Sequence, residues 1–315
     1  MRLKSPFIAP FIALGGSSSA SSLYPRQLNT SSSTGSVNTT APIPLSQSTI
    51  SQNQAPYEED ASKYYLGYYD SDFARPFAKY WNPNVLPISD EVQKGLSESP
   101  KAKPLAFPAS QAKDYMTRPG YLQMENGYSV GEDGSVMIAV RTDIPDITGE
   151  MYDWWFGWHP VDSARYKLWN PVAHQYAWRF PETLDWANKT LPQRYIGTFS
   201  QIDEYIGNDA QKITIAFVNP AVLGFEKEKW AEQGIETIVT ARILIGHSSE
   251  LLGPEQYLIH QVRRREDGSR ELRSRFWLQV FTPQIAHDLL VHCNIEMTHL
   301  NCFLPALFQE FKDTL

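Results

Sequence analysis

Cysteine is nearly absent from the chain: Cys293 and Cys302 are the only two in 315 residues. Placed on one C-terminal helix, nine residues apart, they would stand roughly 13 Å from each other, too far for a disulfide. No CxxC pair exists, so a thiolate zinc knuckle is excluded and a metal would need imidazole and carboxylate ligands. The GxSxG elbow of serine hydrolases, the HExxH helix of zinc proteases, the GxGxxG turn and the P-loop are all missing. Cys293 next to His292 is no thiol–imidazole pair, because neighbouring helical residues point apart. No apolar run is long enough to span a membrane. Basic charge is also scarce: a net charge of -7 and a pI near 5.5 argue against a nucleic-acid partner. The one dense basic run, Arg263-Arg264-Arg265, is followed at once by Glu266-Asp267-Gly268 and reads as a solvated strand end and turn.

Aromatic residues are what the chain has in excess, with nine Trp and sixteen Tyr making the case for either a dense core or a pocket for flat organic ligands. Residues 1–62 are rich in Ser, Thr, Asn, Gln and Pro, without periodicity, and are expected to be disordered. Their basic start, short apolar centre and small residues resemble a weak signal peptide, but two prolines interrupt it. Sequons at Asn29, Asn38 and Asn188 permit glycosylation; a cytoplasmic location is favoured over secretion. Residues 63–115 are expected to form a small N-terminal part, mostly helical and irregular, with a helical patch at 91–96. Residues 116–315 carry the sharper signals and are expected to form the catalytic domain.

Within that domain, 134–141, 213–218 and 236–245 read as strands, 150–158 as a short aromatic helix, and 257–264 with 271–280 as a hairpin around Asp267-Gly268. From about Pro283 the chain reads as helix, with Pro305 kinking or briefly interrupting it. Antiparallel strands followed by one long helix predict an α+β fold in which a curved sheet grips a helix over a cavity.

The chemistry starts on that last helix. His292 and Glu296 are four apart in LLVHCNIEMTHL, so they share a face and can reach one ion. Their helix is the most apolar of the chain, where an unpaired carboxylate is costly and a metal would relieve it. His299, a turn further on, could be another ligand or support one. Elsewhere His159 or His174, and Asp203 or Glu204, could complete a site; spacing does not choose between them.

Five segments in order, MYDWWFGWHP, RYKLWNPVAHQYAW, IDEYIG, IHQVR…ELRSRFWL and HCNIEMTHLNCFLPALF, resemble the 2,4-diacetylphloroglucinol and phloretin hydrolase family over residues 116–315. The resemblance implies a Bet v 1-like helix-grip domain, often dimeric, with zinc held by His174, Glu204, His292 and Glu296. It also implies Tyr166, His247 and His260 around the substrate, a phenolic ketone. Two expected polar residues are replaced, by Ala177 and Phe276. The implied reaction is hydrolysis of the C–C bond between a polyhydroxylated ring and its acyl group. His260, then His247, would move the proton and Tyr166 would hydrogen-bond an oxygen of the substrate. Trp154, Trp155 and Trp277 are candidates for the cavity wall or for plain packing. A cyclase or isomerase of polyketide-like phenols, or a non-catalytic binder of hydrophobic ligands, is the alternative on the same scaffold.

Overall fold

The structure, a computed structural model, describes residues 66–131, 134–279 and 282–314. The expected disorder and signal character of the leader lie outside these residues. Eight strands form one antiparallel sheet: β1 (Gly127–Val130), β2 (Val136–Asp143), β3 (His174–Arg179), β4 (Phe199–Ile206), β5 (Asp209–Val218), β6 (Ile235–Ile245), β7 (Tyr257–Arg264) and β8 (Arg270–Leu278). Their spatial order is β1-β2-β8-β7-β6-β5-β4-β3, so β3 and β1 are the edges. Helices α3 (Gly149–Trp158) and α4 (Ser163–Trp169) connect β2 to β3, and α5 (Pro283–Leu300) and α6 (Leu304–Phe311) follow β8. Strand, two short helices, six strands and a long helix give the expected α+β helix-grip layout.

Local chemistry fixes the helix ends. Thr148, Asp162 and Thr282 each accept a backbone N–H of the first turn, at Met151, Ala164 and Ile285. Pro283 opens α5, where its missing N–H costs nothing. The interruption expected at Pro305 falls at 301–303, and the proline sits in the first turn of α6. Cys302 therefore lies in the turn and not on the helix with Cys293; both thiols are free.

The sheet is covered on both faces. One face packs on α3, α5 and α6 through a large core that includes Trp154, Trp155, Leu290 and Met297. A second core of Phe107, Met116, Met124, Ile259 and Trp277 covers the other. The Trp277 indole donates to the Phe107 carbonyl at 2.6 Å. The three tryptophans offered for the cavity wall are thus packing residues; none of them lines the cavity.

The second face also carries buried charge. Glu125 receives Arg273 at 2.7 Å and Arg275 at 2.5 Å. Burial disfavours its charge, but the two guanidiniums outweigh that and bring its pKa down to about 2. Arg263 of the basic run is buried against Glu271 at 2.6 Å, and Arg265 pairs with Asp143 and Glu271. The run is thus partly an internal ion-pair network, because chain 115–125 lies across it, Arg263 and Arg273 donating to the Gly120 and Met116 carbonyls, while Arg264 is exposed at the strand end before the turn.

N-terminal chain is tied to this body. Helix α1 (Asp90–Ser97) is the expected helical patch, and α2 (Ala112–Met116) follows it. Tyr68 donates to the Ala164 carbonyl, Lys167 to that of Gly67, and Ser89 N–H to Asn294. No helix among the described residues is long and apolar enough to cross a membrane.

Helix α3 is held close to β6 at Gly149. A Cβ there would stand 2.7 Å from Glu236 Cβ and 2.9 Å from its backbone carbon. Gly149→Ala is expected to lower stability by about 1–3 kcal/mol, read from the urea midpoint at constant slope.

Candidate metal centre and cavity

His174 opens the edge strand β3, beside an irregularity in its pairing with β4 between His174 and Tyr176. Glu204 lies opposite it on β4. His292 and Glu296 descend from α5. The His174 and His292 Nε2 atoms are 3.3 Å apart. Glu204 Oε2 is 3.5 Å from the first and 3.7 Å from the second. Glu296 Oε2 is 3.4 Å and 3.6 Å from the same two atoms. A tetrahedral ion with bonds of about 2.1 Å has ligand–ligand edges of ~3.4 Å. The five distances that involve a histidine therefore suit donors around one small divalent cation, and the three donors that all lie within 4.8 Å of one another are those of His174, Glu204 and His292.

Proton placement agrees with that. His174 Nδ1 lies 3.0 Å from the Tyr166 carbonyl, and His292 Nδ1 lies 3.0 Å from the Tyr205 carbonyl. A carbonyl can only accept, so each Nδ1 carries a proton and each Nε2 faces the centre, where a bound cation would displace any proton it holds. Tyr166 stacks on His174 with ring centroids 3.7 Å apart, and its hydroxyl donates to Glu204. All four ligand candidates are buried. For His292, burial disfavours the charged ring, but Glu204 and Glu296 outweigh it and raise the pKa to about 9. For Glu296, burial is likewise overcome by His174 and His292, and the pKa falls to about 2. The anionic cluster attracts positive charge strongly, as a site that holds a cation should. His174, Glu204 and His292 together form a buried group that can hold a metal ion.

A cavity of about 440 Å³ opens beside the group, lined by Tyr166, Glu204, His292 and Glu296 among others. His260 of β7 lines it from the middle of the sheet, its Nδ1 2.7 Å from Ser274 Oγ. Burial pushes the His260 pKa down to about 4, Glu296 opposing the shift, so the ring is neutral at neutral pH. His159, the alternative ligand, also lines the cavity, but its Nδ1 bonds the Trp155 carbonyl at 2.7 Å and its ring stacks on that indole. Trp169 joins the same wall; its indole N–H has no hydrogen-bond partner among the described residues.

Other expectations are placed elsewhere. Asp203 alternates with Glu204 along β4, is fully buried away from the cavity, and takes His247 Nε2 at 2.8 Å. His247 stacks near Tyr176 and does not line the cavity. His299 is buried against Phe303, away from the metal group. Of the two replaced polar positions, Phe276 lines the cavity and Ala177 does not.

A helix-grip domain with a buried His/Glu metal group at the head of its cavity is the setting in which the comparisons fall. The chain belongs to the DAPG hydrolase family: the family's domain, described as the DAPG hydrolase PhiG domain, matches residues 107–309. It is 27% identical to a phloretin hydrolase of Eubacterium ramulus over 269 residues, covering 79% of this chain and 95% of that one. It is 26% identical to a 2,4-diacetylphloroglucinol hydrolase of Pseudomonas protegens, covering 75% and 85%. Among solved structures it is similar to Ara h 8.0201, at 6% identity and TM-score 0.36, over 55% of this chain and 99% of that one. Norcoclaurine synthase from Thalictrum flavum matches at 9% and TM-score 0.35, over 57% and 90%. These structural likenesses are too distant to bear on the chemistry.

Two outcomes are expected from this geometry. Tyr166→Phe removes the donor that holds Glu204 and should weaken metal affinity about 10–100-fold, read by competition with a chelator. His260 has a folded pKa below its unfolded one, so its contribution to stability is present above the unfolded value and is lost as pH falls to about 4. The stability difference between wild type and His260→Gln should therefore change between about pH 6.5 and pH 4 and be flat above that range.

Proposed function

We propose that the protein is a zinc-dependent hydrolase that cleaves the C–C bond between a polyhydroxylated phenolic ring and its acyl group. The observation that carries this reading is the buried His174, Glu204 and His292 group, with Glu296 within 3.6 Å of both histidines, at the head of a cavity in a member of a family whose named relatives are hydrolases of such ketones. Imidazole and carboxylate donors suit zinc, which supplies Lewis acidity toward a ketone oxygen or water.

The chain's own residues supply the rest. Tyr166 is buried and its hydroxyl is held well above the ordinary tyrosine pKa, so it keeps its proton and donates it to Glu204. Its oxygen remains an acceptor for a phenolic O–H. Water adds its oxygen to the carbonyl carbon, the aryl–acyl bond breaks, and the electron pair goes to the ring carbon. The ring receives it as an enolate, because in the ketone tautomer a ring hydroxyl's proton sits on the acylated carbon and the C=O is at its neighbour, whose oxygen takes up the charge. His260, neutral and hydrogen-bonded through Nδ1, would take the water's proton on Nε2 and return it to that oxygen, giving the phenol. The products are the deacylated phenol and a carboxylic acid. Against a non-catalytic binder stand two buried carboxylates converging on the same two imidazoles, a concentration of charge that a bound cation would balance.

Elemental mass spectrometry should find about one zinc per chain in wild type and little in His292→Ala and Glu296→Ala. The wild type should release a free acid from an acylphloroglucinol. Metal-free protein, with both variants folded and unchanged, would overturn the mechanism; a product of unchanged mass would point to an isomerase instead.

A further inference from the structure

The cavity wall is chemically divided, and the division follows the strand register. Polar groups gather around the metal group with Tyr166, His159, His260 and Gln211, while Ser200, Asp209 and Gln256 are spaced singly along the rest of the lining. The wall formed by β4, β5 and β6 is different. Ile202 pairs with Ile213, which pairs with Ile245; in the next row Ile215 pairs with Ile243. Leu278 of β8 continues that wall, and Ile285 and Leu289 of α5 close it from the other side. Ile202 and Ile206 sit two residues either side of Glu204, so this aliphatic lane begins at the metal group. It ends at Ile245, which is 72% exposed and marks the mouth.

Resting on the hydrolase reading, we infer that the lane holds an aliphatic acyl chain, so that the substrates are acylphenols of hexanoyl to octanoyl length and not acetyl compounds. The lane's own side chains are aliphatic, and Ser200 on its border is already bonded by Arg179, so a ring hydroxyl buried there would lack a partner, which is unfavourable. The polar end must therefore take the ring. What remains for the lane is the apolar part of an acylphenol, its acyl chain. Ile202 to Ile245 spans two strand spacings of about 4.8 Å, or ~10 Å. An extended alkyl chain advances about 1.25 Å per carbon, from a C–C bond of about 1.5 Å at the tetrahedral angle. Some eight carbons, roughly, fill that distance.

The test separates the lane from the chemistry. 4-Alkylresorcinols carry a chain where an acylphenol carries its acyl group and have no carbonyl to cleave. Titrated calorimetrically into wild-type protein, ethyl to octyl members should bind about fourfold more tightly per methylene and then level off. Ile243→Phe, which narrows the lane, should flatten the gain. In hydrolysis, octanoylphloroglucinol should exceed acetylphloroglucinol in kcat/KM by at least the ratio of hexyl to ethyl affinity. Affinity that is flat or falls beyond propyl overturns the lane in wild type, whatever the variant does. Affinity that climbs with length while no acylphenol is cleaved leaves the lane standing and removes the hydrolase reading.

Discussion

The structure turns on the confrontation of two buried carboxylates with two imidazoles whose outer nitrogens are already committed. With Nδ1 of His174 and His292 given to the carbonyls of Tyr166 and Tyr205, neither ring can rotate or change tautomer without losing a buried hydrogen bond. Both Nε2 atoms then face inward toward Glu204 and Glu296. Such an arrangement is poor as packing and good as a cation cradle. Much around it exists to hold it: the pairing irregularity that aims His174, the α4 residue Tyr166 that clamps Glu204 and stacks on His174, and the long helix that delivers His292 and Glu296 on one face.

The same helix also sets the depth of the cavity. Its first turns present Ile285 and Leu289, its middle presents His292 and Glu296, and its far end is buried with Met297 and Leu300 in the core. A single amphipathic element thus runs from solvent to reaction centre. Opposite it, strand alternation does the equivalent work: Ile202, Glu204 and Ile206 face the cavity while Asp203 turns away to His247.

How much of this the sequence disclosed depends on how one-sided each element is. The hairpin of β7 and β8, strands β5 and β6, and helix α5 were legible because their periodicity or turn chemistry is strong. Strands β3 and β4 and helix α4 were not identified, and they carry His174, Glu204 and Tyr166. Both faces of β3 and β4 are largely buried, so polar and apolar residues do not alternate along them. The buried arginines of β7 and β8 misled for the related reason that their partners Glu125 and Glu271 are set by tertiary contact. The pair His292 and Glu296 was found from spacing; the partners on the sheet came only from resemblance. Nothing local in the sequence tells His247 from His260, since one strand register and one carboxylate decide which of them meets the cavity.

His174 and His292 are 118 residues apart in the chain yet meet at one point. An ion shared between them would act as a cross-link that closes a very long loop, joining the first edge of the sheet to the last major helix. A fragment that stops before α5 would keep His174 and Glu204 but only half the donors, too few for tight capture. Metal retention would then report on whether the helix has docked, and the cation would favour the docked state by mass action. The reaction centre is in that sense also the clasp of the fold, and losing the ion should loosen the helix along the wall of the cavity it closes.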